Sequence, residues 1–137
     1  MKGETLRPIN QTICKFKNGD CFQACVASIL EQSLGAIPAF MKDGEDNFLA
    51  NLNNFGDDIG IRFIDLAIKD KSLLRDCYSI ACGKSPRNPD KRHAVVYFGD
   101  KIVHDPHPFN DGIVGDPEFY TMFIIKDPAT FLTYPAI

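Results

Sequence analysis

Apolar residues recur at helical spacing from about residue 20 to 32, where Phe22, Cys25, Val26, Ile29 and Leu30 share one face. Asp20 has the side chain of an N-cap, Gly19 permits the tight turn before it, and Gly35 with Pro38 marks the exit. A second helix is predicted from about residue 44 to 55, carried by Phe48, Leu49, Leu52 and Phe55, ending before Gly56 and packing on the first. After Gly60 the apolar period shortens to that of a strand, over residues 61–66, 78–82 and 93–98, each bounded by turn residues. Gly99-Asp100 supplies a hairpin turn into residues 101–105, and a last strand runs from about 118 to 126, before Asp127-Pro128. Helices first and strands afterwards predict an α+β fold, with N-terminal helices packed on a mostly antiparallel C-terminal β-sheet.

The 137 residues, 45% of them hydrophobic, are enough for one domain spanning 1–137 with a real core. The formal charge of −3, with basic and acidic residues interspersed, offers no electrostatic footprint for a polyanion, so no nucleic-acid partner is expected. The first residues are polar, and no apolar run reaches the ~18 to 20 residues of a membrane span, which predicts no membrane partner and a cytoplasmic location. Proline and glycine cluster within residues 83–89 and 106–117, which read as loops. The five cysteines are an odd number and, in that compartment, are expected as free thiols, with Cys14, Cys77 and Cys82 structural.

Candidate chemistry concentrates at the head of the first helix. Cys21 falls in its first turn, where the helix dipole and free backbone N–H groups lower a thiol's pKa from about 8.5 toward neutrality or below. A nucleophilic thiol needs a base within hydrogen-bond reach and a group that orients the base. His93 begins one strand of the hairpin and Asp105 ends the other; with Gly99-Asp100 at the tip, the two fall near opposite each other at the open end. To within one residue of register His104 stands close by, and side-chain alternation favours Asp105.

The run Gly-Asp-Cys-Phe-Gln-Ala-Cys-Val-Ala-Ser-Ile-Leu, then His-Ala-Val-Val-Tyr and Ile-Val-His-Asp-Pro-His-Pro, resembles the papain-like cysteine peptidase superfamily over about residues 11–108. The nearest branch is the bacteriocin-processing, double-glycine peptidase group and its small bacterial and phage relatives. The resemblance implies a papain-like fold in which Cys21, His93 and Asp105 form the catalytic set. It also implies a glutamine upstream of the nucleophile whose amide helps bind the oxyanion, and Gln11 is the match. Its spacing to Cys21 is longer than the family's, so residues 15–18 must bulge; Gln23 points along the helix and does not substitute. An oxyanion donor is worth roughly 3 to 4 kcal/mol of barrier. The expected activity is hydrolysis of a peptide or amide bond in a peptide or protein substrate through an acyl-enzyme, with no cofactor and no metal.

Two other readings stay open. Cys21, Cys25, His104 and His107 have the number and type of ligands of a structural zinc site, although Cys25 lies on the packing face and Pro106 restrains the histidines. A catalytically silent binding module of the same fold is the other. The cleft walls are expected from residues 83–87 and 108–115; Lys84, Arg87, Lys91 and Arg92 make the first region basic, which favours a carboxylate-bearing substrate or forms a solvated face. Of His104 and His107, one is expected to hydrogen-bond the loop or line the cleft.

Overall fold

A computed structural model describes Leu6 and residues 8–12, 20–88 and 90–133. The helices come first: α1 is Cys21–Leu30 and α2 is Phe48–Ile59, followed by the strands β1 (Ile61–Leu66), β2 (Tyr78–Lys84), β3 (Arg92–Phe98), β4 (Lys101–His104) and β5 (Val114–Ile125), then a short α3 (Pro128–Leu132). The five strands form one sheet in the order β1-β5-β2-β3-β4, every neighbour antiparallel. The fold class is therefore α+β, as the alternation of periods indicates. No helix among the described residues is long and apolar enough to cross a membrane.

Alternation along the central strands feeds two apolar layers. Ile80, Cys82, Ala94 and Val96 face α1 and α2, joining Cys25, Val26 and Ala27, while Ala81 and Val95 pack with Leu74 and Tyr120 in a separate cluster. Phe22 of α1 meets Phe48 of α2 edge to face, ring centroids 5.2 Å apart, so the second helix does pack on the first.

Several boundaries differ from the sequence expectation for identifiable reasons. α1 stops at Leu30 because Glu31 adopts a left-handed conformation, φ 57°, and Gln32 closes the end by donating to the Ala27 carbonyl. α2 runs through Gly56 and ends at Gly60, φ 81°. It buries Leu52, Phe55, Gly56 and Ile59, while Leu49, counted on the packing face from spacing, is 64% exposed. Gly56 serves close approach instead of termination: a Cβ there would lie 2.7 Å from the Ile61 carbonyl oxygen. β5 begins four residues earlier than expected because it pairs with β2 along its first half and with β1 along its second. The α3 turn after Asp127 was not expected; Pro128 sits at its first position, where the missing N–H costs nothing.

Candidate active site

Cys21 opens α1, and the Asp20 carbonyl accepts the first helical hydrogen bond from Ala24 N–H at 2.9 Å. The Asp20 side chain does not cap the helix, contrary to expectation. Its carboxylate accepts from the Thr12 backbone N–H at 3.0 Å and the Thr12 hydroxyl at 2.8 Å, tying the incoming chain to the helix start. Gln11 beside it donates its backbone N–H to the Pro106 carbonyl at 3.0 Å and borders the same cleft as Cys21. The expected bulge at residues 15–18, the turn at Gly19 and Cys14 all lie outside the described residues. Gln23 is committed elsewhere, its amide donating to the carbonyls of Leu34 and Ile37.

His93, 3% exposed near the start of β3, joins the two other groups. Its Nε2 lies 2.7 Å from Asp105 Oδ1, and Cys21 stands beside it on the lining of the same cleft. With Nε2 engaged by the carboxylate, Nδ1 is the nitrogen left for sulfur. Burial pulls the imidazole pKa down, but the hydrogen bond to Asp105, the adjacent Cys21 sulfur and the carboxylate charge outweigh it and raise the pKa to about 9. Asp105 is also buried, which opposes ionisation. The bond to His93 and the backbone N–H groups of His107, 2.9 Å from Oδ1, and Gly112, 2.8 Å from Oδ2, prevail and hold its carboxyl below the usual range.

The pairing of His93 with Asp105 is not the cross-strand pair that a regular hairpin gives. Phe98 pairs with Lys101 and Tyr97 with Ile102, then a bulge shifts the register so that Val96 pairs with His104. Continuing that register, Asp105 falls level with Val95, and β4 has already ended. Asp105 reaches His93 from the first position beyond the strand, fixed there by the two loop amides.

The zinc ligand set does not converge. His104 donates Nε2–H to the Ile9 carbonyl at 2.7 Å, Cys25 is wholly buried in the core, and no group of three metal-ligating residues comes together among the described residues. Burial, with the neighbouring Cys21 and Cys82 sulfurs next, pushes the Cys25 thiol well above its ordinary pKa, as befits a packing residue. Cys82, expected as structural, is buried yet touches the cleft floor.

The cleft has a volume of about 480 Å³. Of residues 83–87, expected as one wall, Arg87 alone borders the cleft, joined by Asp90, Lys91 and Arg92. Residues 108–115 do not line it. They support it from behind: Asp111 pairs with Arg87, and Gly112 N–H holds Asp105. The opposite wall is Met41, Glu45, Phe48 and Phe22, with Phe119 of β5. Sequence reasoning missed this wall because Phe48 reads equally as helix packing and the turn around Gly44 carries no motif. The basic stretch is partly neutralised, Arg87 by Asp111 and Arg92 by Glu118 at 2.6 Å, leaving Lys91 as the lining cation with no ion pair among the described residues. No protein-family model, no curated protein and no solved structure matches the chain.

Proposed function

We propose that the chain is a papain-like thiol hydrolase that cleaves a peptide or amide bond. The observation that carries this is the convergence of three groups: Cys21 at the head of α1 and His93 line one cleft, and His93 Nε2 lies 2.7 Å from the buried Asp105 carboxylate. Helices before an antiparallel sheet, and Cys, His and Asp in that chain order, support the superfamily reading.

The imidazolium of His93 stabilises the negative charge that sulfur must carry to attack. Cys21 Sγ adds to the carbonyl carbon, and the oxyanion takes hydrogen bonds from the Cys21 N–H and the Gln11 side-chain amide. As the carbon–nitrogen bond breaks, His93 gives its proton to the departing amine, leaving a thioester on Cys21. Water then attacks the thioester; His93 accepts its proton, the acid departs, and the thiol is restored. Asp105 holds the imidazole orientation throughout. Phe22, Met41, Phe48 and Phe119 favour an apolar side chain beside the scissile bond. A cytoplasmic setting suits Cys21, Cys25, Cys77 and Cys82, all free thiols.

The test is alkylation of the native protein with limiting iodoacetamide across pH 5 to 9, followed by peptide mass spectrometry. Selective labelling of Cys21 below pH 8, slowed about tenfold or more by His93→Ala, is expected. Slow, unselective labelling indifferent to His93 would sink the catalytic reading and leave the silent binding module.

A further inference from the structure

His107 borders the cleft, is 6% exposed, and has no part in the proton path just described. Its backbone N–H holds Asp105, so the residue is fixed relative to the Cys-His-Asp line. Its ring stands edge-on to His93, centroids 6.1 Å apart at 85°, and also packs against Phe109 at 4.8 Å.

The hydrogen bonding of that ring settles where its proton lies. The Phe109 backbone N–H is 3.0 Å from His107 Nδ1, and a backbone amide can only donate. Nδ1 is therefore the bare nitrogen, and in the neutral imidazole the proton is on Nε2. Adding a second proton is disfavoured by burial and by the positive charges of Arg87 and His93, which together exceed the pull of Asp105 and Asp111. The result is a neutral ring with one N–H, held in a single tautomer. The hydrogen bonds described for His107 use its backbone N–H and Nδ1, and Nε2 is not among the buried polar atoms that lack a partner. On a residue that borders the cleft, this N–H is open to solvent and free to donate to a group that enters.

We propose that His107 is a substrate-binding residue whose Nε2–H donates a hydrogen bond to a main-chain carbonyl oxygen of the peptide lying in the cleft. A carbonyl suits it better than an anion, because the ring is uncharged and the neighbouring Arg87 is committed to Asp111. The bond gives a reason for extended peptides to be preferred over small amides, which lack a second carbonyl. This inference rests on Cys21 being the nucleophile.

The test uses two electrophiles on the full chain: methyl methanethiosulfonate, which carries no carbonyl, and a peptidyl vinyl sulfone with phenylalanine beside the warhead. The readout is the ratio of their rate constants at Cys21, with the half-buried Cys77 as internal reference. His107→Asn keeps an acceptor for the Phe109 N–H but loses the cleft donor, whereas His107→Gln places an amide N–H near the position of Nε2. Expected is a fall of about tenfold in the peptidyl-to-small ratio for the asparagine variant, with the small-reagent rate unchanged and the glutamine variant largely restored. An unchanged ratio in the asparagine variant, or an equal loss in both variants, overturns the role of His107 while leaving Cys21 as nucleophile. Wild-type Cys21 reacting no faster than Cys77 with the small reagent overturns both.

Discussion

The side chain of Asp105 has no exposed surface, and each of its hydrogen bonds comes from a group that the site needs held still. Asp105→Asn replaces one accepting oxygen by an amide that must face an N–H donor, and removes the charge opposite His93. A loss of about 3 kcal/mol is expected for breaking this buried pair, seen as a shift in the urea midpoint. The pair also sets the pH dependence of stability. His93 has a raised folded-state pKa, so its contribution is complete below about 6.5 and is lost as pH rises through about 9. Asp105 has a lowered one, so its contribution is present above about 3.9 and is lost as pH falls through the folded value. Melting temperature in the wild type is expected to decline from pH 6.5 to 9 through this group, and Asp105→Asn to flatten that limb while the His93 NMR titration moves back toward 6.5. An alkaline limb that persists in the variant contradicts the assignment. Cys21, His93 and Asp105 were legible because their residue types stand at a helix head, a strand start and a strand end. His107 was legible only as a histidine near the cleft, since its tautomer is set by the Phe109 backbone amide and not by its spacing from other side chains.

At the scale of elements, periodicity located both principal helices and all five strands, gave the bounds of β1 and misjudged several other ends, and Gly56 explains one of the larger errors. A glycine inside an apolar period reads as a stop, yet here α2 passes over the start of β1 so closely that only glycine fits. Gly56→Ala gains about 1 kcal/mol of helix propensity. It also drives a Cβ to 2.7 Å from the Ile61 carbonyl oxygen, a backbone atom that no rotamer change can move. Overpacking of this kind costs about 1 to 3 kcal/mol, so the net expectation is destabilisation, with the urea midpoint lowered and the m-value unchanged. A more stable variant would mean that α2 lifts off β1 without penalty. The bulge in β4 escaped sequence reading for a related reason: a two-residue turn fixes the register near Phe98 and Lys101, and nothing in the side chains announces the shift before Val96 and His104.

Across the whole molecule, the proposed site is assembled by a segment that carries little secondary structure of its own. Ser28 of α1 accepts the Ile9 N–H at 2.9 Å, His104 at the end of β4 donates to the Ile9 carbonyl, Pro106 accepts from Gln11, and Asp20 accepts from Thr12. Residues 8–12 are thereby fastened to the helix bearing Cys21 and to the loop bearing Asp105, which carries Gln11 to the cleft. Three of these four contacts use backbone groups on the segment and side chains elsewhere, so no spacing rule exposes them; this is why Gln11 was named by resemblance and its path was not. His104 is the informative position, being outside the cleft lining and reaching the segment through the Ile9 carbonyl. His104→Ala is expected to cost about 1 kcal/mol of stability, the worth of one hydrogen bond. Its effect on turnover should be larger than that suggests if Gln11 donates to the oxyanion: about tenfold, against about a hundredfold for Gln11→Ala. The decisive comparison is the double variant. If His104 acts by holding Gln11 in place, removing it in a Gln11→Ala background adds almost nothing to the rate loss, whereas independent, additive losses would show that the segment does not deliver Gln11 to the reaction.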